Sequence, residues 1–564
     1  MGMAVVASPR RIALLAAAML AGCAASGGAP DAGTPNPIPP GRLTASGTYL
    51  AGSYAAAETD TRAAADFLLE ALRLAPDQPE VLNRAFLATV LDGRPEAVRI
   101  ARRLPENELA AMLQAGADAM AGRWDRAETR VRSLPRQGAS QILQPLLLAW
   151  VQFGRGNTDA AMATLRPMLE GNRPSGIAAL HGAMIADLAN RPLEAERLIR
   201  LALAHSPEPN LRLVQISAGI LGRAGKEAEA MKLVESISTG GDDLAMLGTP
   251  DVRRRMLRDR AVNSAVEGMA EAELALAGAL RGQNAPELAL LLARLSLRLR
   301  PDFVPALLVA AESLMAENHY ESVLSLLRNV PQDDPLYPVV IVRRAVALDR
   351  LDRPDEAIAA LQALSAARPD SPQPPARIGD LLRSRERYAE AVPAYDTAVA
   401  RAGDAANTWP LLYARGIALE RSGQWPRAEA DFKKALQLSP EQPYVLNYLG
   451  YTWVERGENL AEARRMLERA AALRPQDGNI ADSLGWALFK LGDVPGAVKW
   501  LERAVELESR NAVINDHLGD AYWAAGRRRE AIFQWRRALA VDPEPKETPR
   551  IAAKLREHEA TSRP

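Results

Sequence analysis

The chain has 564 residues, 69 lysines and arginines against 69 aspartates and glutamates, and a single cysteine. Zero net charge without a basic stripe argues against nucleic acid as a main partner, and one cysteine excludes an intramolecular disulfide, so the fold must be held by packing. A chain of this length exceeds one compact core, which leaves several domains or a repeat array.

Residues 1–22 read as a secretory signal, because Arg10 and Arg11 precede an apolar stretch, Ile12 to Gly22, that ends in small residues. That stretch has 11 residues, whereas a helix needs about 20 to cross the hydrocarbon layer, so it predicts no permanent transmembrane helix. The following "LAGC", Leu20 to Cys23, resembles the bacterial lipobox. That resemblance implies that Cys23 becomes the first mature residue and carries a lipid anchor; a plain signal with a chance cysteine is the bland alternative. Ala24 stands where aspartate tends to retain such lipoproteins in the inner membrane, so the resemblance implies an outer-membrane lipoprotein facing the periplasm. Residues 23–47, rich in Pro, Gly and small residues, are predicted to be the lipidated cysteine and a flexible tether.

From residue 48 onward, apolar residues recur at three- and four-residue spacing, as in "ARRMLERAAAL", and the chain is predicted to be nearly all helix. The C-terminal part repeats: Gly416 and Gly450, Gly485 and Gly519, Ala497 and Ala531, and Ala504 and Ala538 are each 34 residues apart. That is the tetratricopeptide period. Each repeat reads as an antiparallel helix pair A–B, with Gly485 and Ala497 where the helices cross, Leu484, Leu488 and Leu501 filling the seam, and Gly492 ending helix A. The predicted fold is an all-α tetratricopeptide-repeat helical solenoid, a right-handed superhelix of about fourteen helix pairs, behind a lipoprotein signal and tether. Its predicted parts are degenerate N-terminal repeats at 48–240, an interruption between superhelical halves at 241–268, middle repeats at 269–408, consensus-like repeats at 409–545 and a charged tail at 546–564. The basic run near 253–260, "RRRMLRDR", reads as a solvated face, with phosphate or anionic lipid as the alternative.

The five histidines are scattered singly, and no nucleophile, phosphate-loop or metal-ligand motif is present. The sequence therefore predicts no catalytic residue, no metal site and no cofactor; binding is what remains. After Thr408 lie 15 of the 27 aromatic residues. Phe432 and Trp535 take helix B seam positions and Tyr522 a helix A seam position. Three residues before the repeat glycine stand Asn447, Asp482 and Asp516; one after it Tyr451, Trp486 and Asp520; four after it Val454, Phe489 and Trp523. Asp482, Trp486 and Phe489 share one helical stripe, and the next repeat sets Asp516, Asp520 and Trp523 beside it. These columns predict either a polar and aromatic partner-binding groove or inter-repeat packing.

With "NYLGYTWVERGENLAEA" and "ADSLGWALFKLG" in succession behind the lipobox and tether, the whole chain resembles tetratricopeptide-repeat outer-membrane lipoproteins of the LbcA type, adaptors of periplasmic carboxy-terminal processing proteases. The resemblance implies a non-enzymatic scaffold that binds such a protease and presents substrates, peptidoglycan hydrolases among them. An assembly lipoprotein for an exopolysaccharide or pilus secretion system is a second expectation, and a cell-wall enzyme with a cryptic site a third.

Overall fold

The computed structural model describes residues 43–561 except 59, 139, 171–173, 207–209, 239–249, 284, 404–407 and 542. The signal, Cys23 and most of the tether lie outside the described residues. The described residues form an all-α solenoid of antiparallel helix pairs, and no strand occurs among them. Among the described residues fourteen antiparallel helix pairs follow one another, six from Ala45 to Ser238 and eight from Ala265 to Ala540, with single helices at Pro250–Arg258 and Thr548–Thr561. No described helix is long and apolar enough to cross a membrane.

One local rule recurs in six of the pairs. A glycine on helix A faces a large side chain on helix B sixteen positions later: Gly52 faces Leu68, Gly182 Leu198, Gly379 Tyr395, Gly416 Phe432, Gly485 Leu501 and Gly519 Trp535. A β-carbon added at Gly416 would lie 2.6 Å from the Phe432 ring, and one at Gly485 2.7 Å from Leu501, so the glycine is what lets the axes close. Leu501, Phe432 and Trp535 are fully enclosed, as the seam assignment requires. Between A and B the chain reverses through a left-handed residue, such as Gly492 at φ 82°, which costs glycine nothing.

The first superhelical part is filled by the chain itself. The pair Ala265–Gly282 and Pro286–Leu299 packs against the A helices Pro79–Leu91, Glu108–Met120 and Ser140–Gly154. Trp150 is the central knob: it is fully buried, and its Nε1–H donates to His181 Nδ1 at 2.9 Å. Its ring lies so close over Gly268 that no β-carbon fits there, and Leu299 covers Gly116 in the same way, 2.8 Å from where a β-carbon would be. Arg212 bridges from helix Leu211–Arg223 to the buried Glu271, and its guanidinium lies 5.2 Å over the Phe303 ring. One apolar core consequently runs from Ala55 to Ala347 and a second from Ile341 to Ile551. The cores change over within helix Tyr337–Arg350, not at residues 241–268, because the pair that follows the interruption packs back into the repeats before it. Within the basic run, Arg255 donates to the Asp333 carbonyl at 3.2 Å and Arg260 pairs with Asp187 at 3.3 Å, so these two charges hold protein groups.

Two outcomes follow from the packed-in pair. Gly268→Ala should lower stability by about 1–3 kcal/mol, the range for overpacking a filled core, read by denaturant unfolding followed by circular dichroism. Glu273 is buried on the same helix, its Oε2 has no hydrogen-bond partner, and burial pushes its carboxyl well above the usual glutamate range. The folded state thus keeps a proton that the unfolded chain releases, and stability falls as pH rises from the ordinary glutamate value towards the raised one. Glu273→Gln should raise the melting temperature near pH 7.5 and leave it nearly unchanged near pH 4, as calorimetry at the two pH values would show.

Candidate functional site

The predicted stripes lie on helices Pro443–Arg456, Gly478–Lys490 and Ala512–Ala524. Beyond them, the stretch read from sequence as a charged tail is a helix, Thr548–Thr561, packed on the last B helix, Arg528–Ala540. It continues the repeat frame as half a repeat. Asp482, Asp516 and Arg550 stand at 34-residue steps, as do Trp486, Asp520 and Lys554.

The geometry separates the two readings that the sequence left open. Asp482 is buried and takes His517 Nδ1 of the next A helix at 3.0 Å. Asp516 is completely enclosed and holds Lys554 Nζ at 3.0 Å and Arg550 Nη2 at 2.7 Å. Asp520 takes Lys554 at 2.7 Å and the Trp535 indole N–H at 3.1 Å. The carboxylates expected to receive a partner's basic group thus receive basic groups of the following helix. Register determines which residues share a stripe, while the angle between successive A helices turns the acidic part of that stripe towards the neighbour.

The aromatic members are half-buried. Trp486 stacks on His517 with centroids 3.9 Å apart and on Phe489 at 5.1 Å, and its indole N–H donates to Glu455 at 2.7 Å. Trp523 stacks on His558 at 4.1 Å and lies 5.7 Å from Trp535. Both tryptophans therefore carry inter-repeat packing, which the groove assignment did not include. Tyr451 is half-buried, and burial pushes its hydroxyl upward, with Glu455 and Asp482 adding to the effect. Asn447 is half-buried, with an Oδ1 that has no hydrogen-bond partner. Arg550, Lys554 and His558 were not foreseen from the sequence; His517 reads there as a satisfied structural histidine beside Asp516, and its partner is Asp482. Opposite charges in one column of adjacent repeats, Asp516 to Arg550 and Asp520 to Lys554, were the available signal.

Burial opposes the charge on His517, but Asp482 first, then Asp516 and Asp520, outweigh it and raise the imidazole above its ordinary 6.5. Burial raises Asp520 above the usual aspartate range, with Asp516 adding to it against the pull of Lys554. Among the described residues no group of three or more His, Cys, Asp or Glu is placed to hold a metal.

Tetratricopeptide-repeat family models match residues 314–377, 376–443, 413–459 and 454–512. Residues 314–512 are tetratricopeptide repeats. The TPR repeat-containing protein PA4667 of Pseudomonas aeruginosa is 33% identical over 91 residues, 16% of this chain and 15% of that protein. The chain thus aligns with only a small part of that relative's length. Among solved structures, the Cut9–Hcn1 hetero-tetramer of the APC/C aligns over 92% of this chain and 90% of its own, at 13% identity and TM-score 0.35. A tetratricopeptide repeat protein from Parabacteroides merdae aligns over 51% and 98%, at 15% identity and TM-score 0.35. Arrays of this type present extended surfaces to protein or peptide partners.

Two measurements check the packing roles. The raised His517 contributes stability that is fully present below its ordinary value and is lost as pH rises through the raised one; His517→Gln should flatten the melting temperature between about pH 6 and pH 9 relative to wild type. Trp486→Ala and Trp523→Ala should each destabilise the C-terminal repeats, by less than the roughly 3–5 kcal/mol of a fully buried Trp→Ala, because both rings are half-exposed. Unchanged melting of either variant would return that ring to a free surface.

Proposed function

We propose that the chain is a non-enzymatic protein-binding scaffold, anchored to the periplasmic face of the outer membrane through lipid on Cys23, that recruits a periplasmic carboxy-terminal processing protease, peptidoglycan hydrolases or both. The repeat array supports the scaffold role, and the lipobox and the family resemblance support the anchor and the class of partner.

The observation that carries the reading is at the anchor-proximal end. The first helix, Ala45–Ala57, has the sequence ASGTYLAGSYAAA, without a single charge. Large apolar side chains on such a helix normally face the interior. Here one side packs on Thr61–Leu74, while Leu50 is 65% and Tyr54 69% exposed, and Leu43 just before the helix is 61% exposed. Leu50 and Tyr54 are four residues apart and share a face. Exposed apolar surface of this kind marks a place where another macromolecule sits.

The test pairs Leu50→Asp with Tyr54→Asp and follows co-purification of the protease from detergent-solubilised envelopes. Capture should fall at least about tenfold, equivalent to 1.4 kcal/mol, with the melting temperature unchanged because both side chains already face solvent. Undiminished capture would remove this face from the interface. In parallel, Cys23→Ser should abolish palmitate labelling and release the protein from the outer-membrane fraction; a wild-type chain that takes up no label would refute the anchor.

A further inference from the structure

Where helix Pro286–Leu299 of the packed-in pair meets the end of Pro79–Leu91, the two border a pocket of about 340 Å³, closed on its other sides by Ala97, Leu113, Leu307 and Leu326. That volume lies at the lower end of the roughly 300–1,000 Å³ typical of small-ligand sites. Apart from Thr89 and Asp92, the polar side chains that line it are three arginines, Arg94, Arg294 and Arg298.

Arg294 and Arg298 are four residues apart on helix Pro286–Leu299 and share one face. Both are half-buried, and the Nε of each is enclosed without a hydrogen-bond partner. A β-carbon added at Gly93 would lie 3.9 Å from Arg294 Nη1, so this guanidinium stands against the turn that follows Pro79–Leu91. Burial pulls Arg294 below the ordinary arginine range, with Asp92 opposing. Asp92 is already engaged: it accepts from Arg94 Nε and, at 3.3 Å, from Thr61 Oγ1. Arg94 in turn reaches Asp66 at 2.7 Å. Both carboxylates are thus answered by Arg94, and two like charges remain side by side on one helix face, an arrangement that is itself unfavourable and that encloses donors without acceptors.

We propose that this pocket binds the phosphate group of a small phosphomonoester, its oxygens between Arg294 and Arg298 and its organic part against Val90, Leu295 and Leu307. A guanidinium presents its N–H donors in a planar fork that matches an oxyanion. One fork occupies the two oxygens of a carboxylate edge to edge, whereas a phosphomonoester offers three terminal oxygens and about two negative charges near neutral pH, enough for both forks. The phosphate would supply the acceptors that the two enclosed Nε groups lack, and would tie Pro286–Leu299 to the turn at Gly93. Occupancy therefore strengthens the closure of the packed-in pair. The headgroup of a phosphatidic acid carries the same chemistry as a free phosphomonoester. This site is independent of the scaffold reading and uses neither Cys23 nor the face of Leu50 and Tyr54.

The test is isothermal titration calorimetry of the full chain, in phosphate-free buffer near neutral pH, with phenyl phosphate, benzoate and dihexanoylphosphatidic acid. Phenyl phosphate should bind at least about tenfold more tightly than benzoate and, at saturation, raise the melting temperature. Arg294→Met/Arg298→Met should bind phenyl phosphate at least about tenfold more weakly, yet melt at or above the wild-type temperature without ligand, because it removes enclosed donors that have no partner. Arg62→Met/Arg126→Met removes two exposed guanidiniums and should bind as wild type does. If the methionine pair at 294 and 298 fails to fold, Arg294→Lys/Arg298→Lys, which keeps the charge and loses the forks, carries the comparison and should bind at least about threefold more weakly. Binding of phenyl phosphate but not of dihexanoylphosphatidic acid identifies a free small phosphate as the ligand; binding of both at similar strength identifies a headgroup; either supports the site. No saturable binding, benzoate binding as tight as that of phenyl phosphate, or equal losses in the two arginine-to-methionine pairs would overturn it.

Discussion

Burial of Trp150 against Gly268 is the contact on which the N-terminal half of the molecule depends. Degenerate repeats bury less through inter-repeat contacts alone, and an open inner face would leave apolar A-helix side chains in water. Laying Ala265–Gly282 and Pro286–Leu299 into that face converts a quasi-linear stack into one core from Ala55 to Ala347. The interface leaves no room for a side chain at Gly268, and one at Gly116 would have to displace the tip of Leu299. It also includes a carboxyl, Glu273, that is buried without a hydrogen-bond partner. Enclosing such a group costs free energy, and the surrounding apolar packing has to offset it.

The C-terminal repeats are stabilised differently. Among the described residues no helix pair lies on their A helices, and their cohesion comes from each helix meeting the next: Asp482 with His517, Asp516 and Asp520 with Lys554, Trp486 on His517, Trp523 on His558. Enclosed carboxylates are tolerated there because each faces a base at hydrogen-bond distance. Thr548–Thr561 covers the seam beyond Arg528–Ala540, with Ile551 fully buried and Arg550 and Lys554 answering the acidic column of Asp516 and Asp520. The two halves thus offer different surfaces: an uncovered apolar first helix and an arginine-lined pocket on one side, a self-satisfied inner stripe on the other.

What was legible in the sequence was whatever repeats at short range. The 34-residue period located the pairs, and the small–large complement of Gly485 with Leu501 and Gly519 with Trp535 followed from it, since both partners lie within one repeat. Gly268 was not legible as a packing glycine, because its partner Trp150 lies several repeats away and no periodicity links them. The candidate stripe was legible as a stripe, but its neighbour was not: only the angle between A helices decides whether Asp516 faces a groove or Lys554. Thr548–Thr561 was hidden by its charges, although its basic residues fall in the columns of Asp482, Asp516 and of Trp486, Asp520.

Amide hydrogen exchange of the full chain along a denaturant series tests most directly whether the first half is one body closed by the inserted pair. If it is, helices Glu108–Met120, Ser140–Gly154, Ala265–Gly282 and Pro286–Leu299 lose protection together, in a transition distinct from that of Pro443–Arg456 through Arg528–Ala540. Exchange of Ala265–Gly282 and Pro286–Leu299 in step with the C-terminal helices, while Ser140–Gly154 stays protected, would contradict it.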